Sequence, residues 1–154
     1  MFDQDGGIRA ALEAMVDHSH VHLAYLDRAF NFLRVNQGYA RGTGLSVESL
    51  VGRNHFELFP DAENQAIFEA VRDSGEPAYF EARPFTNPYE PDAETRYWDW
   101  SLVPAKDGQG QVQGLVLSLL DVTDRELAKR DLHEREEAFR ALAENAPVMI
   151  ARAD

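Results

Sequence analysis

The chain has 154 residues, enough to close one hydrophobic core, and no cysteine, which excludes disulfides, thiolate metal sites, cysteine nucleophiles and thiol redox chemistry. Its 15 basic residues stand against 27 acidic ones, and the formal charge of -12 repels phosphate backbones and anionic headgroups, so neither nucleic acid nor membrane is an expected partner. No segment is apolar and uncharged for long enough to span a bilayer, and "MFDQDGGIRA" lacks the pattern of a signal peptide, so a cytoplasmic location is expected.

Residues 8–17 place Ile8, Leu12, Met15 and Val16 along one side of a helix, which is expected to pair with its twin or to cover the outer face of a sheet. "HVHLAYLD" (20–27) and "AFNFLRVN" (29–36) read as a hairpin turning around Asp27 and Arg28. Asn36 and Ser46 are predicted N-caps, and Gly38, Gly42, Gly44 and Gly52 divide the next region into helices too short to stand alone. A longer helix follows: Asp61 caps it, Gly75 ends it, and Ile67, Phe68 and Val71 share a face. "PAYFEARPF" is a strand and "TNPYEPDAET" a loop. Residues 96–103 alternate, with Arg96, Trp98, Trp100 and Leu102 on one side of a strand and Tyr97, Asp99, Ser101 and Val103 on the other. Pro104 is expected to end the pairing, "KDGQGQ" to turn the chain, and "VQGLVLSLL" to return as a central strand. At Asp121 the period changes from two to about 3.6, and mixed charge runs to Glu137 as on a solvated helix. The order of elements gives an α+β fold, a five-stranded antiparallel sheet with the helices on one face.

Two histidine features carry candidate chemistry. His20 and His22 of the H-x-H-x-H run would share one side of a strand, near enough for a metal, but no further ligand is placed beside them. The favoured reading is an exposed strand start or a dimer surface, with no metal. His55 is expected on a short helix with its ring at the surface; paired with Glu57 or Asp61 it would be the centre of a small acidic hydrolase. Phosphate-binding glycine loops, nucleophile elbows and metal-protease helices are missing from the sequence, and the segment is not expected to be an enzyme.

Four stretches in this order resemble the PAS domain family of sensory modules: "FLRVNQGYARGTGLSVESLVGRNHFELFP", "DSGEP", "RYWDWSLVPAKDGQGQVQGLVLSLLDVT" and "DVTDRE", together covering roughly residues 18 to 126. The resemblance implies that Trp98, Trp100 and Leu102 face inward with Leu115, Leu117 and Leu119, opposite a wall of Phe56, Phe68, Val71 and Phe80. These ten residues are the candidate ligand pocket; the alternative is a core that they fill completely. The resemblance also gives Asp121 and Thr123 the start of an output helix. The cofactor is left open. His55 stands where flavin-bonding members carry cysteine, and the longer helix, 61–74, has no histidine for haem, so both of those chemistries are disfavoured.

On residues 125–146 a heptad frame places Leu132 and Phe139 at one seam position and Ala128 and Leu142 at the other, interrupted by Arg135. This is a weak coiled coil or a solvated linker. Residues 12–27 and 139–154 also match at a constant offset of 127, as with Val21 and Val148 or Asp27 and Asp154. The expected organisation is an N-terminal helix (1–17), a PAS domain (18–123), a signalling helix (124–145) and the start of a second PAS domain (146–154). Together these features imply a sensory and dimerisation module, a homodimer upstream of an output such as a histidine kinase. Ligand binding would repack Trp98 and Trp100, alter the anchoring of Asp121 and Thr123 and move the helix; the rival is a relay that binds no ligand.

Overall fold

The computed structural model describes residues 4–90 and 92–145. The proposed second domain, 146–154, lies outside them. Two helices flank the fold at its ends, α1 (Gln4–Asp17) and α6 (Thr123–Glu144). Between them run β1 (His22–Asp27), β2 (Phe32–Val35), four helices α2 (Gln37–Thr43), α3 (Val47–Leu50), α4 (His55–Leu58) and α5 (Ala62–Ser74), then β3 (Ala78–Phe85), β4 (Arg96–Lys106) and β5 (Val112–Asp121). The five strands form one antiparallel sheet in the order β2-β1-β5-β4-β3. The expected architecture is therefore present, with β5 at its centre.

Register explains the core. Leu26 pairs with Leu115, Ala24 with Leu117 and His22 with Leu119, while Leu102 and Trp100 meet Leu117 and Leu119 from the other side. These residues share one face of the sheet, and the helices α2–α5 close over it around the fully buried Leu26, Phe32, Leu50, Leu102 and Leu115. Short helices survive here because side chains satisfy their free ends. Asn36 is the extreme case. Fully buried, it accepts from Tyr39 N and Leu23 N and donates to the Val16 and Val21 carbonyls, tying α1, β1 and α2 together. Ser46 and Asp61 cap α3 and α5, and Gly75 ends α5 in the left-handed conformation that glycine adopts freely.

Three expectations need correction. Pro104 does not end the pairing, since β4 runs on to Lys106 and Pro104 sits opposite Leu115. Because β3 begins at Ala78, opposite Leu102, β4 has a neighbour on one side only beyond that point, and a residue without an N–H fits an open edge. Gly38 and Gly42 do not break the helical region but lie inside α2, on the side that faces His22. Finally, α1 does not cover the sheet of its own chain. Ile8, Leu12 and Met15 are 60%, 55% and 68% exposed, and Glu13 pairs with Arg34 at 2.8 Å near the edge strand.

Candidate functional site

Between the inner face of the sheet and α4–α5 lies a cavity of about 380 Å³. Trp98 and Trp100 of β4, with Leu117 and Leu119 of β5, form its floor. Phe68 of α5 and His55 of α4 form the opposite wall, 5.0 Å apart between ring centroids. Half of the ten predicted pocket residues line the cavity: Phe68, Trp98, Trp100, Leu117 and Leu119. The other five support it from behind. Phe80 stacks on Trp100 at 4.4 Å, Phe56 meets Phe68 edge-on at 4.9 Å, and Val71, Leu102 and Leu115 are packed in the core.

His55 is not at the surface. It is 8% exposed, enclosed by Phe32, Phe56, Phe59 and Phe68, and burial pulls its pKa down to about 4. Of the four residues of this helix, His55 and Leu58 turn into the core and Glu57 turns out to solvent, a rotation that so short a helix does not reveal in its sequence. The hydrolase alternative weakens accordingly. So low a pKa makes the ring a poor base, Glu57 is exposed, and Asp61 is engaged as the cap of α5.

His22 also departs from expectation. Its ring is half-buried, 5.0 Å from Trp98, and lines the cavity. The glycine spacing of α2 makes this possible, because a Cβ on Gly42 would stand 2.5 Å from His22 Cε1 and one on Gly38 3.1 Å from His22 Cδ2. Burial lowers the pKa of His22 too, so the ring is neutral near pH 7. Among the described residues, no group of three His, Asp or Glu side chains converges as a metal site would require.

Sequence reasoning missed Asn64, Arg83 and the 86–95 loop. Arg83 reaches the inner face because β3 bulges between Phe80 and Arg83, where Ala82 takes φ +51°, and the alternation slips by one. Its guanidinium then lies 5.2 Å over Trp100 and 4.8 Å over Phe80. The loop folds back on the helices: Asn87 donates to the Thr43 carbonyl at 3.0 Å and the Tyr89 hydroxyl to that of Leu58 at 2.8 Å, bringing Thr86 and Pro88 to the cavity rim. Among the described residues, three buried side-chain polar atoms have no hydrogen-bond partner: His55 Nδ1, Asn64 Oδ1 and Trp98 Nε1. All three residues line this cavity.

The reverse side of β4 holds the outgoing helix. Asp121 accepts from Thr123 N at 2.9 Å and from Arg96 Nε at 2.6 Å, while Tyr97 N donates to Thr123 Oγ1 and Val122 N to the Tyr97 carbonyl. Further along α6, Arg125 makes two bonds of 3.0 Å to Asp99, and Arg130 lies over the Tyr97 ring and donates to its hydroxyl. Asp99 also accepts from Ala82 N at the β3 bulge. Residues 97 and 99 therefore grip α6 while 98 and 100 face the cavity. Charge-assisted bonds hold both carboxyls below their usual range. For Asp99 the main cause is Arg125; for Asp121, burial pushes upward but the bonds from Thr123 and Arg96 outweigh it.

A family model described as the PAS fold matches residues 16–127, most of the chain, and the chain belongs to that family. Among solved structures, it is similar to an RNA-binding light-oxygen-voltage receptor (TM-score 0.69, 18% identity, 88% of this chain and 39% of that one). The PAS domain of Bordetella pertussis BvgS matches with a TM-score of 0.62 at 19% identity, over 86% of this chain and 98% of that one. The PAS domain of histidine kinase ThkA matches with a TM-score of 0.54 at 21% identity, over 66% and 98%. The chain thus spans well under half of the receptor and nearly all of the two isolated domains. Among the described residues no helix is long and apolar enough to cross a membrane.

Proposed function

We propose that this chain is a sensory and dimerisation module whose cavity binds a small molecule and whose α6 carries the response to an output domain, a histidine kinase by analogy with ThkA. One observation carries the reading: β4 alternates between cavity wall and helix anchor, Trp98 and Trp100 inward, Tyr97 and Asp99 outward. A ligand that presses on either indole bears on the backbone between them, and that strand is bonded through Tyr97 to the start of α6. The exposed stripe of Ile8, Leu12 and Met15, with Leu132, Phe139 and Leu142 on α6, supports a homodimer formed through the helices. With a charge of -12, this segment is proposed to leave nucleic acid to other parts of a longer protein.

Native mass spectrometry on protein purified without denaturation, coupled to hydrogen exchange of α6, tests the reading. A retained small molecule whose removal changes exchange over residues 123–130 is expected. Identical exchange with and without it would overturn the coupling of cavity to helix, and protein that retains no molecule would favour the second reading, a ligand-free relay. The kinase attribution is tested separately by the coding sequence beyond Asp154: a phosphoacceptor histidine and an ATP-binding domain are expected, and any other output removes it.

A further inference from the structure

The cavity makes three polar demands at fixed points. The Trp98 indole N–H can only donate, Asn64 Oδ1 can only accept, and neutral His55 offers Nδ1 in one role or the other. They come from β4, α5 and α4, so the demands stand on three different elements of the cavity wall. Buried polar atoms are ordinarily paired. Much of the remaining surface is ring and alkyl, from Phe59, Phe68, Trp100, Leu117 and Leu119, with Thr43 and Thr86 also on the lining. Such walls favour a flat guest that stacks.

Charge narrows the class further. Among the described residues, two formally charged side chains line the space: Asp61, which caps α5, and Arg83, which lies on Trp100 and Phe80 with Glu63 3.5 Å away. Both lining histidines are held neutral by burial. A carboxylate or phosphate would lose its hydration and would have to share the one lining cation, Arg83, with Glu63. A hydrocarbon chain would leave all three polar atoms unpaired. The volume of about 380 Å³ is at the small end of ligand sites.

Resting on the sensing reading, we propose that the cavity takes an uncharged, flat heterocycle of one or two rings, presenting an acceptor to the Trp98 indole and a donor to the Asn64 amide oxygen. A cyclic amide supplies both kinds of group, a C=O that accepts and an N–H that donates, on a flat uncharged ring.

The chain contains only two tryptophans, so a ¹⁵N-labelled sample gives two indole cross-peaks, both from the cavity floor. Trp98→Phe assigns them, and Trp100→Phe does so if the first variant does not fold. Three probes are titrated: 2-quinolone, naphthalene of the same outline without polar atoms, and the anion quinoline-2-carboxylate. The expected result is a saturable downfield shift of the Trp98 peak with 2-quinolone, at an affinity at least about tenfold above the other two. Asn64→Leu should then cost about tenfold for 2-quinolone and nothing for naphthalene. Equal or tighter binding of naphthalene or of the carboxylate overturns the ligand class and leaves the sensing reading intact. Quinolone affinity unchanged by Asn64→Leu also overturns the class, as the donor would have no partner there. No indole shift with any probe removes both.

Discussion

Burial among phenylalanines keeps His55 neutral, with a pKa of about 4 against about 6.5 for a histidine in an unfolded chain. Between those values the unfolded state binds the proton and the folded state does not, so stability falls as pH drops from 6.5 towards 4. The loss attributable to His55 is about 3 kcal/mol across that window, and His22, shifted in the same direction, adds to it. His55→Phe is expected to flatten this dependence in urea titrations; an unchanged slope would mean the ring is not sealed as described. A second test concerns the seat of His22. Gly42→Ala places a methyl against the imidazole, with an expected cost of about 1–3 kcal/mol, and adding His22→Ala should recover most of it in thermal melts. Caps such as Asn36, Ser46 and Asp61 were legible from sequence because a cap acts on its own next few residues. His55, His22 and Arg83 were not, because their surroundings come from elements distant in the chain, or from a bulge with no residue signature.

At β4 and α6, the alternation of Tyr97, Trp98, Asp99 and Trp100 was legible from period two alone. That Tyr97 and Asp99 bind the helix was not, since it depends on where α6 crosses the strand. Asp99→Asn removes the charge from a pair that is partly exposed, with Arg125 54% accessible, so the expected effect is about 0.5–1 kcal/mol on helix docking. Amides at the start of α6 should exchange roughly two- to fivefold faster, with the core strands unaffected. Acid should do the same. Asp99 and Asp121 both titrate below their unfolded values, so their contribution is full above about pH 4 and fades as pH falls through the lowered folded pKa values. Exchange over 123–130 that is insensitive to both changes would place the anchor elsewhere.

At the scale of the whole molecule, half of the large apolar side chains exposed among the described residues sit on the two terminal helices, as with Met15 at 68% and Phe139 at 74% exposure. The proposed homodimer would cover them. Leu12→Asp with Met15→Asp leaves the core untouched and should halve the mass measured by light scattering, while wild-type protein measures as two chains. A wild type that runs as a single chain at all concentrations would remove the dimer. The five antiparallel strands and the single helical face followed from counting elements in sequence, and the central place of the last strand from its apolar run; the order of the other strands did not. The packing of α1 did not, because an amphipathic stripe specifies that it must be covered and not by which copy.

Both indoles of the chain border the same cavity, one of them against Arg83 and the other against His22. Excited at wavelengths that its five tyrosines do not absorb, the protein therefore emits ultraviolet light from the floor of that chamber. Its colour and polarisation register how wet and how confined the space is, in a native sample carrying no label, while the rest of the protein stays silent.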